Sequence, residues 1–337
     1  MIEVKNLCKK YADKIALNSV NFSVNKGEIL GFLGPNGAGK TTTMNIITGY
    51  LSADEGTVTI DGAEIFENPI RAKSKIGYLP EIPPLYLDMP VYRYLEFIYE
   101  LKRIKLNKKE HLYEICNLLD ILDVKDRIIK NLSKGYKQRI GFAAALVGYP
   151  PVLILDEPTV GLDPKQITEL REFIKKLGKN HTVILSSHIL SEVQALCDRI
   201  VVINNGKIVA DDTSKNLSEN FSDKNKILVQ IEGEKTKIRS LLSNIKGIKS
   251  VSMGKEVSED IYEFTVNAGR DINIRKDIFD ICAKNRFPIL LMKLEETNLE
   301  DIFLQLTSDD ANFAMNKGLQ QKESTAKKYD KNEEAPK

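Results

Sequence analysis

Gly34-Pro35-Asn36-Gly37-Ala38-Gly39-Lys40-Thr41-Thr42 decides how this chain is read. It follows the apolar run Ile29–Leu33 and precedes a helical pattern that Gly49 ends, so it joins a buried strand to a helix. In that context it fits G-x-x-x-x-G-K-[ST]. The glycines let the backbone wrap a polyphosphate, successive N–H groups form an anion nest, and the helix N-terminus adds partial positive charge. Gly34, Asn36, Gly37, Ala38, Gly39, Lys40, Thr41 and Thr42 are therefore candidate ligands of a nucleoside triphosphate. Lys40 supplies a full charge, and the Thr41 hydroxyl can ligate Mg²⁺.

A second constellation is Val152-Leu153-Ile154-Leu155-Asp156-Glu157-Pro158. Four apolar residues bury a strand, and two carboxylates emerge at its C-terminal end, where open α/β sheets place ligands. Asp156 is suited to hold Mg²⁺ through water, and Glu157 to polarise an attacking water. Such a strand end is weak alone and strong beside the phosphate loop.

With these residues in place, the chain resembles the ATP-binding subunit of ABC transporters over roughly residues 2–215. Leu132-Ser133-Lys134-Gly135-Tyr136-Lys137-Gln138-Arg139 is similar to that family's signature motif and stands 23 residues before Asp156, counted from Ser133. Ser133 is also a natural helix N-cap. The resemblance implies that Ser133 and Gly135 grip a γ-phosphate and that Gly161-Leu162-Asp163-Pro164 is the D-loop. It also implies that His188 is the switch histidine and that Tyr11 stacks on adenine. The family's glutamine loop is represented by Ile76-Gly77-Tyr78-Leu79-Pro80-Glu81. Glu81 stands where Gln is usual; it can still ligate Mg²⁺ or orient water but cannot donate a hydrogen bond when ionised. These departures, with Lys134 and Tyr136, resemble the single-cassette exporter branch whose permease is a separate chain.

The implied fold class is α/β: a P-loop NTPase ABC cassette over 1–215 with a helical subdomain at about 89–149. In that subdomain Val91, Leu95, Ile98 and Leu101 form one apolar stripe; Leu112, Ile115, Leu119 and Leu122 form another. A linker is expected over 216–225. A small α+β accessory domain follows over 226–307, its βαββαβ order giving the ferredoxin-like plan, with a helix over 271–284. Glu295–Phe303 resembles the C-terminal extension of the exporter branch, and 308–337 reads as a disordered tail.

Composition sets the outer limits. At 337 residues, 42% hydrophobic and 28% charged, the chain is globular, which excludes collagen-like and wholly disordered readings. A formal charge of +2 gives no global basic excess for nucleic acid. Cys8, Cys116, Cys197 and Cys282 lie at least 81 positions apart, which excludes a zinc-site spacing. The opening run reads as a strand rather than a signal peptide, and no apolar stretch is long enough to span a bilayer.

The resemblance therefore implies ATP and Mg²⁺ as ligands, a second copy as dimer partner, and an integral membrane permease. It places the subunit peripherally on the cytoplasmic face of the cell membrane. A soluble ABC ATPase of ribosomes or DNA would carry two cassettes or a long coiled-coil insertion, neither of which is present. A subunit that binds ATP without turnover is disfavoured by Lys40, Asp156, Glu157 and His188 together. Ile82–Pro90, held extended by Pro83, Pro84 and Pro90, is expected to dock the permease through apolar side chains.

Overall fold

A computed structural model describes residues 1–221, 226–269, 274–294 and 299–307. Among the described residues the chain divides into two compact units, Met1–Ser214 with Leu306 and Thr307, and Lys215–Gln305. The first unit opens with β1 (Ile2–Tyr11), β2 (Lys14–Val24), β3 (Ile29–Leu33) and α1 (Lys40–Ile47). It continues through β4 (Glu55–Ile60), β5 (Ala63–Glu64), α2 (Pro69–Lys73) and β6 (Ile76–Leu79). Three helices follow, α3 (Val91–Leu101), α4 (Lys108–Leu118) and α5 (Lys134–Leu146). It closes with β7 (Val152–Asp156), α6 (Pro164–Gly178), β8 (Thr182–Ser187), α7 (Leu190–Leu196), β9 (Arg199–Asn204) and β10 (Lys207–Asp212).

Two sheets form from these strands. The antiparallel sheet runs β2-β1-β4-β5, and the larger sheet runs β10-β9-β3-β8-β7-β6. In the larger sheet only β10 is antiparallel. Every residue of β3, β7 and β8 is buried. That is why Ile29–Leu33, Val152–Leu155 and Val183–Leu185 are unbroken by polar side chains rather than alternating: both faces are covered. One face packs with α1 against the antiparallel sheet, through Phe32, Met44, Ile154 and Val4. The other packs under α3–α6, through Leu95, Ile115, Phe142 and Leu155. The topology sets β3, β8, β7 and β6 side by side, so the four loops that leave their C-terminal ends share one crevice.

The α3 stripe departs from expectation at its end. Val91 and Leu95 are fully buried, whereas Leu101 is 66% exposed. Lys102 turns inward instead, donating to the carbonyls of Ala144 at 3.0 Å, Ala145 at 3.2 Å and Val147 at 3.0 Å. Those are carbonyls that the last turn of α5 leaves without helical partners, and a cation there also meets the negative end of the helix dipole.

The second unit contains α8 (Ser214–Phe221), β11 (Lys226–Glu232), α9 (Lys235–Ser243), β12 (Ile248–Ser258) and β13 (Ile261–Ala268). It ends with α10 (Arg275–Lys284), β14 (Ile289–Leu294) and α11 (Leu299–Thr307), the last belonging to it up to Gln305. Its antiparallel sheet runs β12-β13-β11-β14 and packs Val229, Phe264 and Val266 against Ile238, Leu242 and Ile278 of α9 and α10. The βαββαβ order is thus observed among the described residues. The span 216–225, read as a linker, holds most of α8, and residues 222–225 lie outside the described residues. Also outside them are 270–273 of the expected helix, 295–298 of the extension motif, and the expected tail 308–337.

Candidate functional site

The phosphate loop is shaped by backbone packing. Gly39, with φ 113°, is the N-cap of α1, and a Cβ there would stand 2.8 Å from the Ala16 carbonyl oxygen. A Cβ on Gly34 would stand 2.4 Å from the Ile203 carbonyl oxygen. Neither position accepts a side chain without moving backbone. Lys40 is buried and bends back over the loop, donating from Nζ to Gly34 O at 2.8 Å and Pro35 O at 3.3 Å.

Two carboxylates meet this loop from β7. Asp156 is 1% exposed and accepts a hydrogen bond from the Ser186 hydroxyl. Burial pushes its carboxyl above the ordinary range; the Ser186 hydroxyl opposes that, the Glu157 charge adds to it, and the Thr41 hydroxyl opposes it again. Glu157 has φ 47°, a left-handed conformation that costs a non-glycine residue about 1–3 kcal/mol. Its N–H donates to Ser186 Oγ at 3.0 Å and approaches Ser186 O at 3.2 Å, which fixes that conformation. The carboxylate then lies between the Lys40 ammonium and the His188 ring. Oε1 is 3.3 Å from Lys40 Nζ, and Oε2 is 2.8 Å from His188 Nδ1.

A cavity of about 230 Å³ gathers Asn36, Gly37, Gly39, Lys40, Thr41, Thr42, Glu81, Glu157 and His188, with Val160 beside them. Gly34 and Ala38 sit beneath the loop; Ala38 O accepts from Gly206 N at 2.9 Å. Asp156 is tied to the cavity wall by the Thr41 hydroxyl. Of the residues singled out from sequence, Gly34, Ala38 and Asp156 stand just outside the cavity lining, and Tyr11, Ser133 and Gly135 do not line it either. Tyr11 ends β1, 46% exposed, with Lys9 Nζ 5.9 Å from its ring centre. Ser133 is exposed and caps α5, accepting from Tyr136 N at 3.3 Å. Gly135 backs onto the Gln166 amide. Ser186 escaped the sequence reading, and Gln138 entered it only as a letter of the signature-like stretch, with no role. Gln138 is buried and donates to Pro158 O at 3.0 Å, tying α5 to the loop after Glu157. The only signal for Ser186 was a polar residue at the end of an apolar run.

A phosphate loop opening a helix after β3, an Asp-Glu pair ending β7 and a histidine following β8, the strand between them, define an ATP-hydrolysing α/β cassette. The comparisons agree. The sequence pattern of the ABC transporter family matches residues 17–160. An uncharacterized ABC transporter ATP-binding protein of Bacillus subtilis, YhcH, is 33% identical over 92% of this chain and 96% of its own length. The bacitracin transport ATP-binding protein BcrA of Bacillus licheniformis is 32% identical over 91% and 97%. The dimeric structure of the bacterial ABC transporter cassette MJ0796 superposes with TM-score 0.59 at 26% identity, covering 63% of this chain and 98% of that one. This chain belongs to the ATP-binding proteins of the ABC transporter family, and it is an ATPase. Among the described residues no helix is long and apolar enough to cross a membrane.

Proposed function

We propose that this chain is the motor subunit of an exporter: two copies close head to tail on ATP, and hydrolysis reopens them to drive a separate permease. The observation that carries this is the Glu157 carboxylate, held between Lys40 and His188 at the mouth of the phosphate loop. In this reading Asn36 to Thr42 cradle the phosphates and Lys40 neutralises them. Glu157 is the general base, His188 holds it and senses the γ-phosphate, and Glu81 orients water. The oxygen donors of Thr41 and Asp156, with Glu81 on the cavity wall, suit Mg²⁺, which takes one or two carboxylates plus substrate phosphates. Bound there, the ion would supply charge neutralisation on the phosphates.

The second copy is supported by where Ser133 and Gly135 stand. They lie at an exposed helix N-terminus, suited to an anion, yet they do not line their own chain's cavity. They are assigned to a partner's ATP. Tyr11, half exposed at the strand end, is assigned to the adenine. A transport role is supported by the relative named for bacitracin transport, and the outward direction is assigned from the exporter-branch resemblance. The peripheral, permease-held location on the cytoplasmic face belongs to the same reading.

Light scattering tests it. Glu157→Gln should form a dimer with ATP and Mg²⁺. Adding Ser133→Arg should leave ATP binding intact and the protein monomeric. A dimer that survives Ser133→Arg, or a double variant that no longer binds ATP, overturns the head-to-tail assignment.

A further inference from the structure

Behind the Glu157–His188 pair lies a buried carboxylate that the reading above does not use. Glu192, on α7, is 3% exposed. Its Oε2 accepts two hydrogen bonds, from Thr159 Oγ1 at 2.7 Å and from Ser187 Oγ at 3.1 Å. Both hydroxyls are themselves buried, at 4% and 0% exposure. Thr159 stands two residues after Glu157, and Ser187 immediately precedes His188. The Ser187 hydroxyl also accepts from the N–H of Ile189 at 3.0 Å, so it grips the chain on both sides of the histidine.

These contacts close a ring. Its front is the Glu157 Oε2 to His188 Nδ1 contact of 2.8 Å. Its back is a single oxygen of Glu192, reached from one side through Thr159 and from the other through Ser187. In the front bond Glu157 is already anchored, through Ser186 and Lys40, whereas the His188 side chain is 41% exposed, so the histidine's loop is the partner that needs a hold from behind. A buried carboxylate is costly unless fully hydrogen-bonded, so its placement between two loops is informative. Packing alone would be served by Leu at this position, since α7 also buries Leu190, Val193 and Leu196.

We infer that Glu192 is a positioning residue for hydrolysis, holding the loop after Glu157 and the loop of His188 at the separation their pairing requires. This rests on the assignment of Glu157 and His188 to the chemistry. A misplacement of about 1 Å at a reacting group can reduce a rate about 100-fold. Loosening the brace should therefore lower kcat while leaving ATP affinity alone, because neither Thr159 nor Glu192 lines the cavity.

The test compares full-length Glu192→Leu, Glu192→Gln and Thr159→Val with Glu157→Gln in one phosphate-release assay. ATP dissociation constants are measured beside it with a non-hydrolysable analogue. Glu192→Leu and Thr159→Val should lose about 10- to 100-fold in kcat at unchanged affinity. Glu192→Gln keeps an acceptor oxygen and should retain more rate than Glu192→Leu. Thr159→Val is nearly isosteric, so it reports even if Glu192→Leu fails to fold. Wild-type kcat in Thr159→Val, or an affinity loss equal to the kcat loss, overturns the brace and leaves the Glu157 assignment standing. Full turnover in Glu157→Gln overturns that assignment and the brace with it.

Discussion

Lys40 Nζ stands 3.3 Å from Glu157 Oε1, with both side chains buried. The ammonium assigned to the phosphates is thus also the counter-ion of the residue assigned as base. Charge at the two positions is coupled, and variants at either must be read together.

The coupling makes Lys40→Ala a double lesion. ATP affinity should fall because the point charge facing the phosphates is gone while the backbone nest remains. Thermal stability should fall as well, since removing one partner of a buried pair costs about 3–5 kcal/mol by stranding the other charge. Adding Glu157→Gln should restore Tm without restoring ATP affinity. Calorimetry and thermal melts separate the two; a double variant no more stable than Lys40→Ala contradicts the coupling.

Glu157→Gln alone should retain ATP affinity and lose turnover by about 10²–10⁴-fold, the usual contribution of a positioned general base. The amide keeps the shape and an oxygen for His188 while removing the basic lone pair. Phosphate release under single-turnover conditions measures this. A loss below tenfold would assign the base elsewhere.

Much of this site was legible because its chemistry is written locally. Gly34 to Thr42, Asp156-Glu157 and His188 each lie at the end of an apolar strand, and adjacent parallel strands converge their C-terminal ends. What stayed hidden depends on which distant segments meet. Leu101 sits in register with Val91 and Leu95, yet it is exposed while Lys102 is buried, because the end of α5 presents three carbonyls there. Nothing in residues 91–102 announces α5. Ser186, Ser187 and Glu192 read as stray polar residues until β7, β8 and α7 bring their partners within hydrogen-bond reach. The assignment of Ser133 to a partner's site came from resemblance, and the single-chain geometry adds only its distance from the local cavity.

Lys102 also carries a pH signature. Burial pushes its ammonium down to about 8 from an ordinary 10.5. Between those values the unfolded chain binds the proton and the folded chain has released it, so stability rises with pH across that window. Lys102→Met lacks the titration and strands carbonyls of α5, an unsatisfied group costing about 1–3 kcal/mol. The wild-type advantage in Tm should therefore be present near neutrality and widen from pH 8 to 10. A gap that narrows over that range would mean the carbonyls hold the proton on.

The loop that leads away from Glu81 divides into an anchored side and a free side. Leu85 and Met89 pack on the helical core, whereas Ile82, Tyr86 and Leu87 are 81%, 53% and 49% exposed. Tyr86 is held in place by an edge-on contact with Phe97, ring centres 5.3 Å apart. The Leu87 carbonyl accepts from Lys130 N at 2.9 Å, so the backbone is tied to the helical subdomain. A fixed loop that presents apolar side chains to water, one step from a residue of the candidate site, suits a partner that must sense nucleotide. We assign that face to the permease. Tyr86→Ser with Leu87→Ser removes the free side chains and leaves Leu85, Met89 and the backbone ties in place. Basal ATPase of the isolated subunit and its Tm should stay close to wild type, while co-purification with the permease is lost. A double variant that melts early and still co-purifies would return both residues to the helical core and remove the docking assignment.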